Sequence, residues 1–330
     1  MNTEVLNTEF STFQEGVRKG KLYDRTYGYY LGYLLAVLCG TAISVAILVY
    51  TDNLFVQILN AAFLGFVLVQ GGMLAHDLTH GQVFRSKEIS RWTAVFAWGL
   101  FGGLSADKWY EKHNAHHKFV NQLDKDPDLD IPFIFSEKQR ASHASWIHHL
   151  LLPQQHILFF LLLPLVYANM IGQAYSHLFK RFSWQSALEL VLMSVHFLLL
   201  FGAAFYLLPW YTAVIFILVH FMVSGVYMSL VFAPNHKGLE VLSENDRVTW
   251  LQQITCTRNV RPSHLVFHIL GGLNFQVEHH LFSDMARPKY WKAQKEVKNF
   301  CAKHGISYYE TTWATSMVEI YTSLRKQAHA

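Results

Sequence analysis

Three short words in this chain place histidine where imidazole can hold a metal ion. His76 and His80 stand four apart in His76-Asp77-Leu78-Thr79-His80, and His113, His116 and His117 follow at i, i+3 and i+4 in His113-Asn114-Ala115-His116-His117. His279 and His280 follow Gln276 at that same interval in Gln276-Val277-Glu278-His279-His280, and a lone His236 stands in Asn235-His236. Side chains three and four apart share one helical face, which suits a single ion. Structural zinc takes four ligands and catalytic zinc about three. Eight histidines therefore exceed what one ion uses, and two ions sharing eight or nine nitrogen or oxygen ligands is the natural count. Neighbours on a helix diverge by about 100°, so His116-His117 and His279-His280 can serve different ions. Imidazole without thiolate suits iron, copper, nickel or zinc. Cys39, Cys256 and Cys301 are scattered and odd in number, giving neither a disulfide framework nor a thiolate site. Ligand imidazoles must be neutral, so metal loss on acidification is expected. Asp77, Asp107, Glu111, Asn235 and Glu278 are candidates to hydrogen-bond the ligands from behind; for each carboxylate a surface role competes.

The elements that must position these words are membrane helices. Of 330 residues, 52% are hydrophobic and only 15% are Asp, Glu, Lys or Arg, against about 25% charged in a soluble domain. A net charge of +4 without a basic, aromatic-interleaved tract excludes nucleic acid as a partner. Residues 29–50 and 54–75 are uncharged windows of 22 residues each, long enough to span a bilayer. Windows 188–208 and 211–233 form a second pair around Pro209-Trp210 and contain Glu189, His196 and His220. Runs 93–104 and 157–168, the latter broken by Pro164, suit interfacial or re-entrant segments. The expected fold class is an all-α integral membrane protein. Four transmembrane helices carry a cytosolic helical cap, 76–187 and 234–330, within a single domain, 1–330.

No Lys or Arg lies in either tight connection, so all 27 basic residues fall on the side of the termini, which is expected to be cytoplasmic. No signal peptide is evident in the polar first 28 residues. The stretch Asp124-Lys125-Asp126-Pro127-Asp128-Leu129-Asp130 reads as a turn-rich solvated loop, lacking the spacing and closing Glu of a calcium loop. The other eleven histidines are assigned to packing, capping or solvent. Among them His196 and His220 face a bundle interior, as interhelical hydrogen-bonding groups before channel lining. His264 and His268, also i, i+4, are candidates to support the last cluster. For the second and third words to meet, an even number of crossings must separate them, which leaves 157–168 in the interface.

At these words the sequence resembles the membrane-bound fatty acid desaturase and hydroxylase superfamily, from the first hairpin to about Arg287. The signature is HxxxH, HxxHH and (H/Q)xxHH with a His after the fourth helix. Gln276 in the third box is similar to the front-end branch, as are Lys112-His113-Asn114, Asp124-Lys125-Asp126-Pro127-Asp128, Arg258-Asn259-Val260 and Gly271-Gly272-Leu273-Asn274-Phe275-Gln276. The resemblance implies a diiron centre that uses dioxygen and two external electrons to desaturate a fatty acyl chain drawn from the lipid bilayer. It further implies His76, His80, His113, His117 and His280 at one iron, and His116, His236, His279 and Gln276 at the other. Many front-end relatives carry a fused cytochrome b5 domain with His-Pro-Gly-Gly; that motif is missing here, so a separate donor, a ferredoxin or cytochrome b5 with its reductase, is expected. Phe267-His268 and Ser283 depart from the family pattern and leave a hydroxylase or acetylenase open. A metalloprotease would need HExxH, where this chain has Asp77. A metal transporter would carry its ligands mid-membrane, where only His196 and His220 lie.

Overall fold

The structure, a computed structural model, describes residues 3–130, Ile134 and 151–329. His143, His148 and His149 lie outside the described residues. A polar helix, α1 (Thr3–Lys19), precedes the apolar hairpin of α2 (Tyr27–Tyr50) and α3 (Leu54–Thr79). The hairpin turn satisfies its own backbone. Asn53 caps α3 by accepting from the Val56 N–H, and the Gln57 amide donates to the carbonyls of Ile47 and Thr51. Carbonyls at a helix end have no intrahelical donor, and in lipid no water replaces it.

Next comes α4 (Lys87–Ala97), capped by Ser86 and continued by a π turn, Trp98–Gly102. The second histidine word lies on α5 (Ala106–Lys118). Then α6 (Gln155–Leu162) passes through a 3-10 turn, Leu163–Leu165, into α7 (Val166–Lys180). The second hairpin is α8 (Trp184–Leu207) and α9 (Trp210–His236). Short elements complete the chain: α10 (Trp250–Thr255), β1 (Asn259–Val260), α11 (His264–Ile269), α12 (Gln276–Leu281), α13 (Tyr290–His304), β2 (Glu310–Thr311) and α14 (Trp313–His329). The two strands pair in parallel, Asn259 opposite Glu310.

The chain divides into two compact units. One comprises Tyr27–His113 and Leu158–Leu230; the other comprises Met1–Thr26, Asn114–Ile157 and Val231–Ala330, the division falling inside α5. Segments 76–113 and 158–187 fall in the first of these units, with the apolar helices. The first unit contains an apolar cluster of Leu48, Ala61, Leu64, Leu200, Ala204, Leu208, Ala213 and Phe216. Some of its buried polar side chains are paired across helices, which offsets the cost of burial in a low dielectric. Gln70 accepts from the Tyr33 hydroxyl and donates to that of Tyr227. His196 Nδ1 lies 2.8 Å from the Leu100 carbonyl, and its Nε2 lies 3.4 Å from the Tyr167 hydroxyl. Interhelical hydrogen bonding, the first expectation for His196, describes it.

Among the described residues, five helical runs are long and apolar enough to cross a membrane: Lys21–Tyr50, Leu54–Thr79, Leu152–Lys180, Trp184–Leu207 and Trp210–His236. Four were expected. The additional run contains 157–168, and Pro164 does not end it because a 3-10 turn with Pro at its start absorbs the missing N–H. Gly225 of α9 packs against that turn: a Cβ there would stand 2.5 Å from the Pro164 carbonyl oxygen and 2.8 Å from that of Leu163. Gly225→Ala must therefore push backbone aside. We expect it to lose about 1–3 kcal/mol, read as earlier thermal unfolding in detergent; an unchanged transition would refute the contact.

Candidate metal centre

In the first unit the end of α3 carries His76 and its C-cap His80, and α5 carries His113. Gly81, at φ 67°, lets the chain turn so that the Gln82 N–H reaches the Asp77 carbonyl at 3.0 Å and closes the helix. His76 Nε2 lies 3.1 Å from His113 Nε2, and the His80 ring centroid is 4.7 Å from that of His76 and 4.9 Å from that of His113. His76 Nδ1 meets Asp77 Oδ1 at 3.1 Å. Trp109 stacks on His113 at 5.3 Å and packs tilted against Trp98 at 4.5 Å, walling the group. Burial, with His76 beside it, holds His80 well below the usual imidazole range. It is neutral, as a ligand must be.

In the second unit the rings of His116, His236 and His280 face one another, with centroids 4.7 Å (His116–His236), 5.1 Å (His116–His280) and 4.7 Å (His236–His280) apart. One nitrogen of each lies within 4.8 Å of the others. Every Nδ1 is engaged outward. His116 Nδ1 is 3.0 Å from both oxygens of Asp126, His236 Nδ1 is 3.3 Å from the Cys256 carbonyl, and His280 Nδ1 is 2.7 Å from Gln253 Oε1. Each partner atom is an acceptor, so each Nδ1 carries the proton and each neutral ring carries its lone pair on Nε2. Three buried lone pairs aimed together repel unless a cation lies among them. Beside them His117 Nε2 lies 3.0 Å from His279 Nε2, and the His117 ring stacks on His280 at 4.3 Å. Ligands at right angles on imidazole–metal bonds of roughly 2.1 Å stand about 3 Å apart, so these spacings fit metal ligation.

The cap elements explain the placement. Arg258, fully buried, donates to the carbonyls of Pro234 and Lys237 and to the Glu319 carboxylate, fixing the end of α9 at His236. Asn259 of β1 accepts from the Val277 N–H at 2.9 Å and donates to Glu278 at 2.7 Å, fixing the first turn of α12. Tyr290 stands 3.2 Å from His279 Nδ1. Asn235 donates to Gln276 Oε1 at 3.2 Å, while Gln276 Nε2 faces His236 Nε2 at 3.1 Å. Gln276 thus presents its amide nitrogen, not its ligating oxygen, to the cluster.

Other expectations land elsewhere. Glu278 faces Asn259 and the Tyr308 hydroxyl rather than a box histidine, and burial pushes it up to about 7 against the pull of those hydrogen bonds. Asp107 and Glu111 bind His177, and Glu111 also binds Arg181. His264 and His268 are exposed on α11. His280 joins His116 and His236, and His279 pairs with His117, the reverse of the partition that the resemblance implied. Asp126 is not solvated: it is 2% exposed. Asn121, at φ 52°, turns the chain back so that Asp126 accepts the Asn121 N–H at 2.8 Å and reaches His116. Asp126, Gln253 and Tyr290 were missed as supporting groups. Only the Asp-Pro-Asp turn offered a signal, and its charge density pointed to solvent.

The second and third boxes also restrict the membrane path. They meet at His117 and His279, and among the described residues three long apolar runs lie between, an odd number; Leu152–Lys180, interrupted midway by its 3-10 turn, is the weakest candidate to cross.

The model of a family described as fatty acid desaturase matches residues 53–312, which include every box. The chain belongs to the fatty acid desaturase family. It is 29% identical over 317 residues to the Delta(5) fatty acid desaturase fat-4 of Caenorhabditis elegans, covering 92% of this chain and 70% of that one. It is 29% identical to the acyl-lipid (9-3)-desaturase of Physcomitrium patens, over 99% of this chain and 64% of the relative. With the Delta(6)-fatty-acid desaturase fat-3 of C. elegans it shares 28% identity over 84% of this chain and 66% of the relative. This desaturase is an oxidoreductase of lipid metabolism and an integral membrane protein, and it spans about two thirds of the length of these relatives.

Proposed function

We propose that this chain carries out O2-dependent desaturation of a fatty acyl chain at a centre of two irons held within the set His76, His80, His113, His116, His117, His236, Gln276, His279 and His280. Electrons come from a separate carrier, a ferredoxin or a cytochrome b5 with its reductase. The termini and the centre lie on the cytoplasmic side, as the absence of Lys and Arg from both tight connections supports. The observation that carries the reading is the convergence of three protonless Nε2 atoms, of His116, His236 and His280, within a desaturase-family chain. A thiolate-free imidazole set suits iron. His116, His236 and His280 would hold one ion, with the His117–His279 pair beside them, and His76, His80 and His113 take part in holding the other. Gln276 would join through Oε1 after its amide turns over.

Iron with dioxygen supplies the oxidising power that unactivated methylene hydrogens require and that no side chain can provide. Overall, a –CH2–CH2– unit, O2, two electrons and two protons give –CH=CH– and two waters. The chain's own residues orient the ligands and keep water out. Asp126, Gln253 and the Cys256 carbonyl hold three imidazoles in one tautomer. Trp98 and Trp109 wall the His76–His113 group, which limits the side reactions that water would bring.

The reading is tested by expressing the protein with matched electron carriers in a host of defined lipids. Acyl chains are then profiled by mass spectrometry after derivatisation that locates double bonds. A new unsaturated chain is expected; a hydroxylated chain instead would move the activity to hydroxylation. Stripping the purified enzyme with a chelator is expected to remove turnover, with Fe(II) restoring it and Zn(II) not. Restoration by zinc would exclude a redox centre.

A further inference from the structure

We propose that Gln253 is the positioning residue that sets the tautomer of His280 and ties it to His117; this rests on the two-metal reading above. Both ends of its amide are committed. Nε2 donates to the His117 backbone carbonyl at 2.7 Å, and Oε1 meets His280 Nδ1 at 2.7 Å. A carbonyl can only accept, so the His117 oxygen decides which end of the amide is nitrogen. The oxygen end must then face His280, whose Nδ1 must carry the proton and whose lone pair must lie on Nε2. One neutral side chain thus joins the second box to the third, and it does so without adding charge to the centre.

The element bearing Gln253 is built to hold still. Thr249 and Gln252 form a reciprocal capping box at the start of α10, and Ile254 is fully buried. From outside, Trp250 stacks on Phe10 of α1 with centroids 4.0 Å apart and planes 5° from parallel, and its Nε1 donates to Asn7 Oδ1 at 2.8 Å. The helix is pinned by α1 through Trp250, one turn before Gln253. A short helix so clamped sets the position of an amide more closely than a loop would.

The test uses the full-length protein, stripped of metal in detergent, with cobalt(II) as the probe. Gln253→Met keeps length and removes both hydrogen bonds. Gln252→Ala weakens the same helix at its cap without touching a box residue. Gln253→Met is expected to bind cobalt about 10–100-fold more weakly and to shift its visible d–d bands. Gln252→Ala is expected to lower the unfolding temperature while leaving affinity and spectrum unchanged. Should Gln253→Met fail to fold, Gln253→Glu is read in the same way, since it cannot donate to the His117 carbonyl. Wild-type affinity and spectrum in the Gln253 variant, or equal losses of affinity in both variants, would overturn the proposal. Failure of the wild type itself to bind cobalt would instead overturn the two-metal reading beneath it.

Discussion

His280→Ala is expected to abolish product while leaving the protein inserted and folded. The ring is one of three whose Nε2 lone pairs converge, and it also stacks on His117. Its removal leaves His116 and His236 facing each other with two nitrogens, below the three or more that a held ion needs. Loss of an outer hydrogen-bond partner alone costs about 10–100-fold in metal affinity or activity, and loss of a ligand should exceed that range. Insertion is governed by the apolar runs, of which residue 280 is no part. The measurement is paired: acyl-chain profile in the expressing host, and iron per chain on the purified protein. Product at the wild-type level from a variant shown to be folded would refute the diiron assignment.

Asp126→Asn should weaken the same centre by a different route. Asp126 spends both oxygens on His116 Nδ1, accepts the Asn121 N–H at 2.8 Å and accepts the Asp128 N–H at 2.9 Å. An amide of the same shape must turn its NH2 toward one of these donors. If it faces His116, the ring takes the other tautomer and its proton sits on Nε2, where it cannot ligate. If it faces a backbone N–H, a buried donor loses its acceptor, at about 1–3 kcal/mol. Metal affinity about 10–100-fold weaker, with a lower unfolding temperature, is the expected result, read by metal titration and by thermal unfolding in detergent. Wild-type values of both would show that this carboxylate does not hold His116.

What the sequence determined by itself was everything that repeats within one turn of helix. The intervals His76–His80 and His113–His116–His117 are legible because residues three and four apart share a face whatever surrounds them. The apolar runs of α2, α3, α8 and α9 are legible because length and hydrophobicity alone decide whether a segment suits a bilayer. Tertiary structure decided which partner stands behind each imidazole. Asp126 comes from 10 residues away, Gln253 from 27 and the Cys256 carbonyl from 20, and no spacing rule links them to their histidines. It also decided that His280 rather than His279 joins His116 and His236, since adjacent residues on one helix are equivalent until another element chooses a face. Pro164 makes the same point: read alone it ends a helix, whereas with a 3-10 turn against Gly225 it lets Leu152–Lys180 continue. Local periodicity is written along the chain. The proton on each Nδ1 depends on an acceptor that arrives only when distant segments pack.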